Sequence, residues 1–172
     1  LCFFCSLLFH FPCLMNPSLP LVFIVDDDAS VRRSLARLLR HEGCEVERFT
    51  SAEAYLENPA PAVPACVVLD VRMPGLNGLE LQQALTARER DDQIIFITGH
   101  GDVPMCAQAI KAGAVDFLPK PFSEDALLAA VARAMERARL RHQRQAIRGQ
   151  ALARLALLTP RELEVFRHVI AG

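Results

Sequence analysis

Three stretches of the chain are apolar without interruption: Leu21–Val25 (LVFIV), Cys66–Leu69 (CVVL) and Ile94–Ile97 (IIFI). Each gives way at its carboxyl end to polar residues, respectively Asp26-Asp27-Asp28, Asp70 and Thr98. A half-exposed strand would alternate, so unbroken runs point to strands buried on both faces, the habit of parallel sheets. Weaker strand signals lie at Glu45–Phe49 and Val115–Leu118. Between them the spacing turns helical. Ser30–Arg40 places Val31, Leu35, Leu38 and Leu39 on one face, and Leu79–Leu85 gathers Leu79, Leu81 and Leu85 after a loop holding Pro74, Gly75 and Gly78. Val103–Ala112 predicts an apolar face of Val103, Cys106, Ala107 and Ile110, with Pro104 in the first turn. A long helical pattern follows Ser123 through Leu127, Leu128, Val131, Met135 and Ala138.

Strands alternating with helices predict an α/β fold: a five-stranded, doubly wound parallel sheet with five helices between Leu21 and about Arg139. In open sheets of this kind the chemistry collects outside the carboxyl ends of the strands. Those ends carry Asp26, Asp27, Asp70, Thr98 and Lys120, so residues far apart in sequence are expected in one pocket.

Composition changes this picture little. With 52% hydrophobic and 23% charged residues, the 172-residue chain is of the ordinary globular kind, which excludes a disordered chain. Six cysteines are too few for a disulfide scaffold; Cys44, Cys66 and Cys106 read as reduced, small core residues of a cytoplasmic protein. The net charge of −1 gives no bulk field toward nucleic acid or membrane. It conceals a split, however. Met15–Phe122 holds 10 Lys+Arg against 15 Asp+Glu, a net of −5, while Ser123–Gly172 holds 9 against 5, a net of +4. The basic stretch carries Arg133, Arg137, Arg139, Arg141, Arg144 and Arg148, and its apolar spacing keeps no clean heptad past Ala138. It reads as a solvated helical linker in preference to a DNA-phosphate patch. Thr159-Pro160-Arg161-Glu162 forms a capping box that opens a new helix with Leu163, Val165, Phe166, Val169 and Ile170.

Leu1–Leu14 contains no Lys, Arg, Asp or Glu. It lacks the basic start of a secretory signal and the ~20 apolar residues of a spanning helix. Its simplest reading is translation from upstream of the true start, with Met15 as first residue. The alternatives are a membrane anchor or a metal site built from Cys2, Cys5, His10 and Cys13.

Clustered carboxylates repel unless a cation joins them. Asp26, Asp27 and Asp70 would offer hard oxygens suited to Mg²⁺, which takes few protein ligands and keeps waters. The competing reading is helix capping, expected of Asp28 at least. With Mg²⁺ present, Asp70 becomes a nucleophile for a phosphoryl group, forming an acyl phosphate, and Lys120 a second positive centre. Thr98 and Gly99 would leave room for a phosphoryl oxygen. Lys120-Pro121 is a candidate cis bond.

At this point the residues carry a resemblance. Leu21–Ala138 resembles the receiver domain of two-component response regulators, through VDDD with Asp26 and Asp27, DVRMPGLNGLEL with Asp70, Met73, Pro74 and Gly78, ITGHGDVPM with Thr98, and AIKAGAVDFLPKPF with Phe117, Lys120, Pro121 and Phe122. The wording looks most like the FixJ/NarL class of transcriptional regulators, and LTPRELEVFRHVIAG (Leu158–Gly172) is similar to the opening helix of a LuxR-type helix-turn-helix. The division expected is a non-native or disordered leader over 1–20, a receiver over 21–138, a helical linker over 139–157 and a truncated helix-turn-helix over 158–172.

The resemblance implies roles. Asp70 would take a phosphoryl group from the histidine of a sensor kinase. Asp27, Asp70 and the backbone carbonyl of Arg72 would ligate Mg²⁺, with Asp26 acting partly through water. Lys120 would pair with the phosphoryl group, Thr98 would move to bond it, and Phe117 would swing inward, although Phe117 reads equally well as an ordinary core aromatic. The change would reach the face formed by the fourth helix, fifth strand and fifth helix, where a homodimer is expected. Arg72 and His100 would tune attack by water. DNA binding is expected only of a full-length form with a complete helix-turn-helix, and no membrane partner is expected. Two other readings compete: an interaction module acting without phosphorylation, and a Mg²⁺-dependent aspartyl-phosphate phosphohydrolase. The hydrolase would place a general acid where this chain has Arg72, which argues against an enzyme.

Overall fold

The structure is a computed structural model that describes residues 19–90, 92–99, 103–158 and 161–162. Five strands, β1 (Leu21–Val25), β2 (Glu45–Phe49), β3 (Ala65–Asp70), β4 (Gln93–Thr98) and β5 (Asp116–Pro119), form one sheet in the order β2-β1-β3-β4-β5. Every pairing is parallel. The connections are helices α1 (Ala29–His41), α2 (Ala52–Glu57), α3 (Gly78–Ala87) and α4 (Val103–Lys111), and α5 (Glu124–Ala156) follows β5. The predicted doubly wound α/β fold is the one observed.

Because successive strand residues point to opposite faces, each apolar run feeds two cores. Val22, Ile24, Cys66, Val68, Ile95 and Ile97 pack under α1 and α5, while Phe23, Val25, Val67, Leu69, Ile94 and Phe96 pack under α2, α3 and α4. All twelve are buried, which is why these strands carry no alternation in sequence. β3 and β4 each extend one residue beyond the apolar run, so Asp70 and Thr98 are the last residues of their strands and are themselves buried. β5 sits one residue later than the spacing predicts.

Helix α4 departs from expectation more sharply. Its inward residue is Ala109, with Met105 packed against the same core. Val103 and Ile110, assigned to the buried face, are exposed by 83% and 44%, and Ala107 is exposed too. The apolar spacing of a nine-residue helix fits two faces, and it is the one carrying Met105 and Ala109 that meets the sheet. The helix thereby keeps an apolar stripe on the outside. Asp28 caps α1, its carboxylate accepting from the Ser30 and Val31 amides, as expected. Cys44 and Cys66 are buried free thiols and Cys106 is half-buried; burial pushes the first two thiols up from their ordinary pKa.

Helix α5 is one continuous helix of 33 residues, about 50 Å long, and runs unbroken past the expected linker boundary. Its buried positions end at Ala138. Gly149 lies in its exposed part with open space around the missing side chain. Gly149→Ala is therefore expected to strengthen this segment by about 1 kcal/mol, seen as slower amide exchange around that turn. Among the described residues no helix is long and apolar enough to cross a membrane. The expectations for Leu1–Leu14, for His100, and for most of Leu158–Gly172 fall outside the described residues.

Candidate functional site

Parallel register brings the polar strand ends to one edge of the sheet. β1 and β3 pair through Val25 and Leu69, so Asp26 and Asp70 follow side by side; β3 pairs with β4 through Asp70 and Ile97. Lys120 follows β5 and its amide donates to the Thr98 carbonyl (2.7 Å). Its Lys120-Pro121 peptide is cis, as expected. From that position the ammonium reaches both acids, donating to Asp70 Oδ1 (2.8 Å) and Asp26 Oδ2 (3.1 Å).

The remaining carboxylate oxygens are held by backbone. Asp26 Oδ1 accepts from the Asp28 amide (2.8 Å) and Asp70 Oδ2 from the Arg72 amide (2.9 Å). The Arg32 guanidinium donates to the Asp26 carbonyl. The Asp26 and Asp70 side chains are only 1% and 8% exposed, against 28% for Lys120. Burial pushes the Asp70 carboxyl above its ordinary pKa; the Lys120 hydrogen bond and charge oppose this, the Asp26 charge adds to it, and the Arg72 amide opposes it. For Lys120, desolvation disfavours the charge, but hydrogen bonds to Asp70 and Asp26, with their charges, outweigh it and raise the pKa.

The structure thus brings together Asp26, Asp70 and Lys120, with buried Thr98 at the end of the next strand. Asp27 is exposed beside this group, and Arg72 contributes a backbone donor while its side chain is exposed. Phe117 is half-buried, its ring 6.2 Å from that of Phe96 and packed against the core under α4. Among the described residues no three His, Cys, Asp or Glu are grouped as a metal cage. The two buried carboxylates of Asp26 and Asp70 still match what Mg²⁺ takes, one or two protein carboxylates with water completing the shell.

Two residues support the site in ways the sequence does not show: Glu53, which carries no signal there, and Gly78, a motif residue whose contact only the fold reveals. Glu53 of α2 accepts from the Leu76 amide (2.7 Å) and so braces the loop after Asp70; that hydrogen bond, first among several, holds its carboxyl below the ordinary range. Gly78 opens α3 where a Cβ would lie 2.5 Å from the Asp70 carbonyl oxygen. The loop glycines were visible in sequence, but the contact that makes this one necessary comes from β3. A distant acid 23 residues before the amide it accepts from has no local signal at all.

With this geometry in view, residues 22–132 match the response regulator receiver domain. The chain belongs to that family. Nodulation protein W of Bradyrhizobium diazoefficiens is 48% identical over 152 residues, covering 88% of this chain and 67% of the relative. Transcriptional regulatory protein FixJ of the same organism is 43% identical over 151 residues, covering 88% and 74%. Among solved structures, the response regulator StyR superposes with a TM-score of 0.82 at 47% identity, covering 90% of this receiver chain and 78% of the other. The resemblance to the FixJ type read from the motifs is therefore shown, and with it a place in two-component regulation.

Proposed function

We propose that this response regulator accepts a phosphoryl group on Asp70 from the phosphohistidine of a sensor kinase, acting in the cytoplasm. The observation that carries the reading is the single ammonium of Lys120 shared by two buried carboxylates from different strands. A carboxylate oxygen of Asp70 attacks phosphorus, the P–N bond breaks, and its electron pair returns to the imidazole, leaving an acyl phosphate. Lys120 is placed to shift its ammonium from carboxylate to phosphoryl oxygen as negative charge moves outward. Asp27, Asp70 and the Arg72 carbonyl would hold Mg²⁺, with Asp26 acting partly through water. When bound, the ion would neutralise phosphoryl charge during transfer. Thr98 would bond the phosphoryl group and Phe117 would move inward, altering the face of α4, β5 and α5. The exposed apolar stripe of Val103, Ala107 and Ile110 on α4 supports a second copy as the occupant of that face. Transcriptional control through DNA belongs, in this reading, to a form carrying the complete helix-turn-helix.

Incubation with acetyl phosphate and Mg²⁺ is expected to add one acid-stable, base-labile phosphoryl group, measured by intact mass. Asp70→Asn and chelation of Mg²⁺ should each abolish it. Without Mg²⁺, burial pushes the Asp70 carboxyl up, so its protonation, followed by carboxyl-carbon NMR, should come at a higher pH than an ordinary aspartate gives, and added Mg²⁺ should bring it down. Labelling that survives Asp70→Asn removes the site assignment; absence of labelling in the unaltered chain favours an interaction module instead.

A further inference from the structure

The exposed half of α5 holds charge of one sign only. Residues 139–158 contain five arginines and no acid, and all nine basic residues from Ser123 onward are arginine rather than lysine. As part of one continuous α-helix, this segment sets its arginines at fixed angles about the axis. Arg137, Arg141, Arg144 and Arg148 fall at spacings of 4, 3 and 4 residues, within a stripe about 60° wide and about 17 Å long. Arg137, Arg144 and Arg148 are exposed. Arg133, one turn earlier, marks where the pattern changes: it pairs with Asp116 of β5 and so belongs to the domain body. Beyond Ala138 the body is left behind, with His142 touching the Ala62 carbonyl (2.9 Å) at the point of departure.

Such a stripe is costly in an isolated helix, because like charges four residues apart oppose helix formation. Guanidinium groups in a rigid row are instead suited to the phosphates of duplex DNA, which offers one negative charge per about 1.7 Å of axis and accepts paired N–H donors. A second copy of this helix is a poor occupant, since it would bring the same sign of charge. That FixJ and its like are named transcriptional regulators places DNA within reach of such proteins.

We propose that the arginine stripe of α5 is a sequence-independent contact for the DNA backbone, separate from any helix-turn-helix and from phosphoryl acceptance at Asp70. The test is fluorescence anisotropy of the whole chain with a labelled mixed-sequence duplex across a salt series. Binding is expected with log K falling against log salt at a slope of about −3. The variant R137Q/R144Q/R148Q, which keeps strong helix formers, should flatten that slope by about 2 to 3 and weaken binding at low salt by tenfold or more. The matching Lys variant should keep most of the slope, which separates lost charge from a lost helix. Asp70→Asn should bind as the unaltered chain does, so failure of the phosphoacceptor reading leaves this result untouched. No binding at low salt, an unchanged slope in the Gln variant, or preference for anionic lipid vesicles over duplex at equal phosphate overturns the proposal.

Discussion

Lys120→Ala is expected to lower phosphoryl labelling by roughly 10²-fold, the usual scale for removing a preorganised charge from a developing anion. It should also cost stability at neutral pH, by about 3 kcal/mol, because two buried carboxylates would lose their shared cation. The pH dependence has a definite sign. In the variant, Asp70 can relieve the repulsion by taking up a proton, and burial already favours the protonated form. The penalty should therefore shrink as pH falls from neutral into mild acid, read from urea unfolding at the two conditions. In the unaltered chain the Lys120 pKa is raised on folding, so its stabilisation is present at neutral pH and lost as pH climbs from the ordinary lysine value of 10.5 through the raised folded one. Combining Lys120→Ala with Asp26→Asn should recover part of the loss, since one of the two opposed charges is gone. Equal stability with and without the ammonium would show that the two acids do not depend on it.

Gly78→Ala is expected to be nearly as damaging, though it removes no charge. The added Cβ would meet the Asp70 carbonyl oxygen at 2.5 Å and both the Val71 Cα and a Phe96 ring carbon at 3.1 Å. Two of those neighbours are backbone of the strand end that carries Asp70, so the helix must back away or the strand end must move. Overpacking of this kind costs about 1–3 kcal/mol. Its particular signature is a loss of labelling larger than the lost stability explains, because the displaced backbone sets the direction of the Asp70 side chain. The same substitution at Gly149, in open space on α5, should stabilise instead. If Gly78→Ala labels at the normal rate, the close approach is not what fixes Asp70.

The order of strands and helices was legible because burial on both faces leaves apolar runs, and because helical crossovers impose their own period between them. α1 and the buried stretch of α5 could be read for the same reason: their inward residues recur at regular intervals. α2 had no such signal. It is six residues long and buries only Ala52 and Tyr55, too few for a period to show. The buried face of α4 does not follow from spacing, because its apolar residues satisfy helical spacing on two sides and only the sheet beneath decides which side is covered. A loop glycine or a surface glutamate gives no hint, in sequence, of the backbone it will meet.

The amino-acid sequence by itself determined the α/β alternation, the acids and the lysine at strand ends, and the family to which they belong, since these depend on local order and on which residues lie at element boundaries. Tertiary structure alone decided that one ammonium would bridge Asp26 and Asp70, that Asp27 would stay exposed, that Gly78 would press against the Asp70 carbonyl, and that α5 would leave the domain body after Ala138. Distances between strands, and the direction a helix takes as it leaves them, arise from packing the whole sheet, and no local run of residues encodes them.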